Sequence, residues 1–195
     1  IILCTIRLRI ISSGALIFST FFERQEAKMR GTVYLICGKI CAGKSTYARQ
    51  LAKSKKAVIL STDEITLALF GQHLGGKHDE VVSRVQKYLL EKSVEILGNG
   101  IDVILDWGFW TRASRVSVRE YYSSRGYGYE FHYIDVSYDM WIDNIAKRNR
   151  QVADGKTSAY YIDDNLAKKF EGMFEEPERS EIDIWHRGGC AAVKR

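Results

Sequence analysis

The stretch "GKICAGKST", residues 38 to 46, follows the apolar run "TVYLIC" and opens a segment with helical character. Gly38, four intervening residues and then Gly43, Lys44 and Ser45 reproduce the spacing of a loop that cradles phosphates. The chemistry explains the pattern. Glycines let successive main-chain amides turn inward, the following helix aims its positive end at the anion, and a lysine adds a full charge. The reading places Gly38, Lys39, Ile40, Cys41, Ala42, Gly43, Lys44, Ser45 and Thr46 around a nucleotide, with the Ser45 hydroxyl on Mg²⁺.

Working outward, apolar runs alternate with helical patterns. "TVYLIC", "AVILST", "DVILDW", "YEFHYIDV" and "EIDIWH" read as buried strands. Between them lie "KSTYARQLAKSK", then "DEVVSRVQKYLLEKSVEILGNG" with Val82, Val85, Leu89 and Ile96 as its stripe, then "TRASRVSVREYYSSRG" with Thr111 as its cap. "SYDMWIDNIAKRNR" and "DNLAKKFEGMF" complete the set, the second repeating Leu166, Phe170 and Phe174 before Pro177. Such alternation predicts a parallel sheet covered by helices on both faces. Ligands then bind beyond the carboxyl ends of the strands.

Those ends carry the candidate chemistry. The second strand ends in "STDE", where Asp63 can accept a proton from an attacking hydroxyl or cap the helix "EITLALFG". The third ends in "VILDWGFW", where Asp106 suits a magnesium or substrate contact, or a hydrogen-bonded turn. Trp107, Phe109 and Trp110 follow, either flooring an acceptor pocket or filling the core. Arg112 and Arg115 are candidate acceptor contacts. Arg148 and Arg150, in "KRNR", are candidates for stabilising a transferring phosphoryl group; each could equally answer a helix dipole. The polar "QVADGKTSAYY" suits a small lid. His73, His78, His132 and His186 show no ligand spacing.

Composition narrows the partners. The chain has 195 residues and a formal charge of +5, enough for one substantial core. Residues 1 to 30 hold five Lys/Arg against two acids, and residues 187 to 195 hold three against none, so 31 to 186 hold 21 basic and 22 acidic residues. A near-neutral core argues against a broad nucleic-acid surface, because such affinity comes from clustered cations. Cys4, Cys37, Cys41 and Cys190 lack disulfide or metal spacing and read as reduced thiols of a cytoplasmic protein. Residues 1–29 read as an extension outside the core. No small-x-small cleavage site follows their apolar part, and the run is shorter than the ~20 residues of a membrane span. The domain is expected over 30–187, with a tail over 188–195.

With these residues assembled, the chain resembles the P-loop kinase group that includes phage-type polynucleotide 5'-kinases, zeta-toxin-like and chloramphenicol-phosphotransferase-like enzymes and bacterial ATP-binding proteins. "GKICAGKSTYA", "STDE", "VILDWGFWTRASR", "AKRNR" and "FEEP" carry the resemblance over residues 30 to 187. It implies a three-layer α/β sandwich with sheet order 2-3-1-4-5, ATP·Mg²⁺ as donor, Lys44 and Ser45 on phosphates and metal, Asp63 as base, and Arg148 or Arg150 as lid arginine. Thr62 stands where polynucleotide kinases often carry an arginine, which disfavours a nucleic-acid acceptor. The expectation is a kinase moving the γ-phosphoryl group of ATP to a hydroxyl of a small molecule or nucleotide. Its rivals are an ATPase or nucleotide switch without acceptor, and a kinase of nucleic-acid ends in repair or toxicity.

Overall fold

A computed structural model describes residues 30–71, 75–157 and 159–188. The expected extension, most of the tail, Cys4, Cys190 and His73 lie outside the described residues.

β1 (Val33–Cys37) is the centre of the sheet, and all five of its residues are buried. Its alternation feeds two cores. Val33, Leu35 and Cys37 face one side, and Tyr34 and Ile36 the other, as period-two geometry requires. β2 (Val58–Leu60), β3 (Val103–Gly108), β4 (Tyr129–Asp135) and β5 (Ile184–Arg187) complete a parallel sheet in the order β2-β3-β1-β4-β5.

The helices are α1 (Lys44–Lys55), α2 (Thr62–Phe70), α3 (His78–Gly98), α4 (Arg112–Ser123), α5 (Tyr138–Ala153) and α6 (Asp164–Met173). α3 and α4 cover one face, burying Leu97, Val118 and Tyr122 against Leu35, Leu105 and Phe131. α1 covers the other with Tyr47, Ala48 and Leu51. Trp141 and Ile145 of α5 form a smaller core with Ile162, against which Leu166 and Phe170 of α6 pack. The long helix departs from its expected stripe. Its buried row is Leu89, Ser93 and Leu97, and Ile96 is only partly buried. Ser93 is tolerated there because its hydroxyl pairs with Tyr122 Oη at 2.6 Å and with the Leu90 carbonyl at 2.6 Å.

Caps set the helix starts, and thereby the site. Thr111 Oγ1 accepts from the Ser114 amide at 3.1 Å, as its sequence position predicts. α2 differs from expectation. Its cap is Ser61, whose Oγ accepts from the Glu64 amide at 3.3 Å, so Asp63 lies inside the first turn and does no capping. The buried face of that turn belongs to Thr62, which leaves the Asp63 carboxylate directed to the cleft described next.

Candidate functional site

The carboxyl ends of β1, β2 and β3 open on a cleft of about 1920 Å³. Its floor is the loop between β1 and α1. Gly38 takes φ 149°, and a Cβ there would stand 2.8 Å from the Ile134 carbonyl oxygen, so only glycine lets the loop pass β4. Gly43 has φ 95° and Cys41 has φ 59°, a left-handed value that a side chain tolerates at some cost. α1 begins at Lys44 with no side-chain cap and no acid in its first turn. Its amides and dipole therefore suit an anion.

Lys44 Nζ donates to the carbonyls of Gly38 at 3.0 Å and Lys39 at 2.7 Å, fixing the ammonium beneath the loop. Desolvation in the cleft lowers its pKa, against the charges of Asp106 and Asp63, which raise it. Burial pushes the Asp63 carboxyl above its ordinary value, with Lys44 and then Arg148 opposing and Asp106 reinforcing that shift. Asp106 is buried inside β3, so the turn-residue alternative does not describe it. The three charges thus act on one another across one small space.

The sequence candidates separate into two groups. Ile40, Cys41, Gly43, Lys44, Ser45, Thr46, Asp63, Asp106, Trp107, Trp110 and Arg148 all line the cleft. Ala42 is fully buried in the core instead, and the Lys39 ammonium lies over the rings of Trp141 at 5.3 Å and Phe174 at 5.9 Å. Trp107 serves the scaffold as well, donating from Nε1 to the Leu60 carbonyl at 3.0 Å and stacking on Phe109.

Arg112, Arg115 and Arg150 are not among the lining residues. The Arg112 side chain pairs with Glu178 at 3.2 Å, and its amide donates to Glu175. Arg115 is 1% exposed and grips Glu181 through Nε and Nη2, both at 3.2 Å. Its Nη1 reaches the carbonyls of Phe109, Trp110 and Glu175. This guanidinium is a structural rivet between α4 and the C-terminal segment. Arg150 is exposed, whereas Arg148 Nη1 lies 3.3 Å from Cys41 Sγ at the loop.

Several residues at the site escape sequence reasoning. Trp141, 1% exposed, donates from Nε1 to the Ile40 carbonyl at 2.7 Å and so supports the loop from α5. Asn144, Lys147 and Gln151 of the same helix line the cleft. The spacing of Trp141, Ile145 and Arg148 along one helical stripe is the signal that would have found this face. Asn149 makes paired hydrogen bonds with Ile162, from Nδ2 to its carbonyl at 2.6 Å and from its amide to Oδ1 at 2.9 Å. These place Tyr160 and Tyr161 on the cleft wall. Nothing in the local sequence marks Tyr160.

The donor set fits a nucleotide with a magnesium ion. A half-buried lysine, an uncapped helix start and glycine-shaped backbone suit a polyphosphate. The Ser45 hydroxyl and the Asp106 carboxylate are the small protein contribution that suits magnesium, which keeps several waters. Among the described residues no group of three or more His, Cys, Asp or Glu forms an all-protein cage, and no helix is long and apolar enough to cross a membrane.

Parallel order and loop together define a P-loop fold of the kinase type. A family model described as an AAA domain, AAA_33, matches residues 33–168, and the chain belongs to this family. None of the curated proteins matches it. Among solved structures it is similar to a protein of Chloroflexus aurantiacus provisionally described as a kinase, at 14% identity and TM-score 0.63, covering 82% of this chain and 88% of that one. It is also similar to Kti12 of Chaetomium thermophilum in complex with ADP-AlF3, at 13% identity and TM-score 0.61, covering 81% and 89%. A third is the APS kinase CysC of Mycobacterium tuberculosis in complex with AMPPNP and APS, at 15% identity and TM-score 0.56, covering 81% and 88%. At these identities the likeness concerns the fold.

Proposed function

We propose that the protein is an ATP-dependent kinase that transfers the γ-phosphoryl group to a hydroxyl of a small molecule or nucleotide. The observation that carries this reading is the meeting of Lys44, Asp63, Asp106 and Arg148 at one cleft, whose volume of about 1920 Å³ leaves room for an acceptor beside Asp63.

In this reading the amides of Gly38 to Ser45 and the Lys44 ammonium hold the β- and γ-phosphates. Ser45 and Asp106 hold magnesium, which when bound supplies charge neutralisation to the phosphate oxygens. Asp63 orients the acceptor hydroxyl and takes its proton as the oxygen attacks. The new bond joins that oxygen to the γ-phosphorus, the bond from the γ-phosphorus to the bridging oxygen breaks, and ADP leaves. Arg148 faces the charge that spreads over the transferring group. The raised pKa of Asp63 makes it a stronger base.

Transfer of label from γ-labelled ATP, screened over hydroxyl compounds with wild type and Lys44→Ala, tests the proposal. A labelled acceptor product that disappears with Lys44→Ala supports it. Steady ADP release with no labelled product from any acceptor would convert the reading to an ATPase or switch.

A further inference from the structure

The cleft divides by charge. Its lysines and arginines, Lys44, Arg49, Lys147, Arg148 and Lys169, come from the loop, α1, α5 and α6, where the cap residue Asp163 is the one acid among the described lining residues. The opposite wall, built from residues 59 to 121, contributes Asp63, Glu64, Asp79 and Asp106 and no lysine or arginine among the described lining residues. Glu64 and Asp79 also complement the starts of α2 and α3, but that position sets their charge on the rim of the cleft. The cations that α4 could offer are turned away from it: Arg112 is held by Glu178, Arg115 by Glu181, and Arg119 donates to the Glu181 carbonyl at 2.9 Å.

The same wall carries a flat apolar surface, the ring of Trp110. It packs edge-on against Phe170 at 4.7 Å, and its Nε1 edge is turned onto Gly108, where a Cβ would come within 2.5 Å of that nitrogen. Ring and carboxylates therefore border one volume, beside Asp63.

We propose that this wall receives a neutral or cationic alcohol with a flat apolar body, and that it selects against acceptors bearing phosphate or carboxylate near the reacting hydroxyl. The inference rests on the kinase reading only for naming the ligand an acceptor. Trp110 is its specificity-determining residue, offering its ring to the apolar body of the ligand. Glu64 and Asp79 supply the bias against anions.

Binding to the full chain, loaded with a non-hydrolysable ATP analogue and magnesium, tests this with probes of one shape and three charges. Phenylalaninol is cationic, 3-phenylpropane-1,2-diol neutral and 3-phenyllactate anionic; thymidine and thymidine 3'-monophosphate form a second pair. Calorimetry should rank phenylalaninol and the diol above phenyllactate, and thymidine above its phosphate, by on the order of tenfold in Kd at low salt. The Glu64→Gln/Asp79→Asn double variant, changed only at exposed positions, should erase most of that gap, and salt should narrow it. Trp110→Ala, which removes the ring, should weaken the neutral and cationic probes alike. Equal or tighter binding of either anion, or binding of none of the probes, overturns the inference. Transfer from ATP separates it from the kinase reading: transfer preferring thymidine 3'-monophosphate sinks this inference alone, whereas the expected order of binding with no transfer to any hydroxyl sinks the kinase reading alone.

Discussion

The indole N–H of Trp141 donates to the carbonyl oxygen of Ile40 at 2.7 Å, so a buried side chain of α5 fixes the middle of the phosphate loop. Trp141→Phe keeps most of the ring and removes the donor. The unpaired Ile40 carbonyl then costs about 1 to 3 kcal/mol, and the loop loses its preset shape. Chemical denaturation should report that loss, and the KM for ATP should rise severalfold with a smaller change in kcat. Unaltered nucleotide affinity would reduce Trp141 to a packing residue.

Asp63 is held protonated more readily in the fold than in the unfolded chain, because burial disfavours its charge. A carboxyl with a raised folded pKa gives stability that is complete below the unfolded value and is lost as pH rises through the folded one. Asp63→Asn should therefore raise Tm at neutral pH, with the gain fading as pH falls through the folded value and gone below the ordinary carboxyl value of 3.8. The same variant should keep ATP binding and slow transfer by ~10² to 10⁴. A Tm that drops at pH 7 would show that the Lys44 contact outweighs the desolvation.

Arg148 and Arg150 are alike in sequence and different in place. Only Arg148 reaches the loop, at Cys41, and only its charge acts on Asp63. Arg148→Met should lower kcat by on the order of 10³, the scale of an arginine facing a transferring phosphoryl group. Arg150→Met should leave steady-state kinetics within error. Equal effects from the two would break the assignment.

The Arg115–Glu181 pair is almost fully buried, and burial without a partner is what such a pair must avoid. Arg115→Met strands a carboxylate and should destabilise the fold by about 3 to 5 kcal/mol, with Glu181→Gln doing similar damage. Because charge is removed from both sides, the Arg115→Met/Glu181→Met variant should recover much of this loss. Urea titration of the set reads the coupling. Nucleotide affinity of the folded fraction should not change, since neither residue lines the cleft.

The sheet and its helices were legible because apolar runs of strand length and helical stripes are local properties, and the phosphate loop because its glycines are local necessities. Gly38 and Lys44 could be placed from letters alone. What could not be read depends on contacts far apart along the chain. Arg115 looks like a pocket arginine until Glu181, 66 residues later, folds against it. "STDE" holds three good capping residues in a row, and the end of β2 at Leu60 decides that Ser61 caps and Asp63 is released to the cleft. Arg148 and Arg150 differ only in helical phase, which was legible from Trp141 and Ile145. Tyr160 reaches the site through the Asn149 side chain, and no local pattern encodes that.

Asn149 treats Ile162 as a neighbouring strand would, offering one donor and one acceptor to its peptide groups. Ile162 is thereby moored to α5, the helix whose Trp141 steadies the loop. The position of Tyr160, two residues before that mooring, and the posture of the loop therefore share one support.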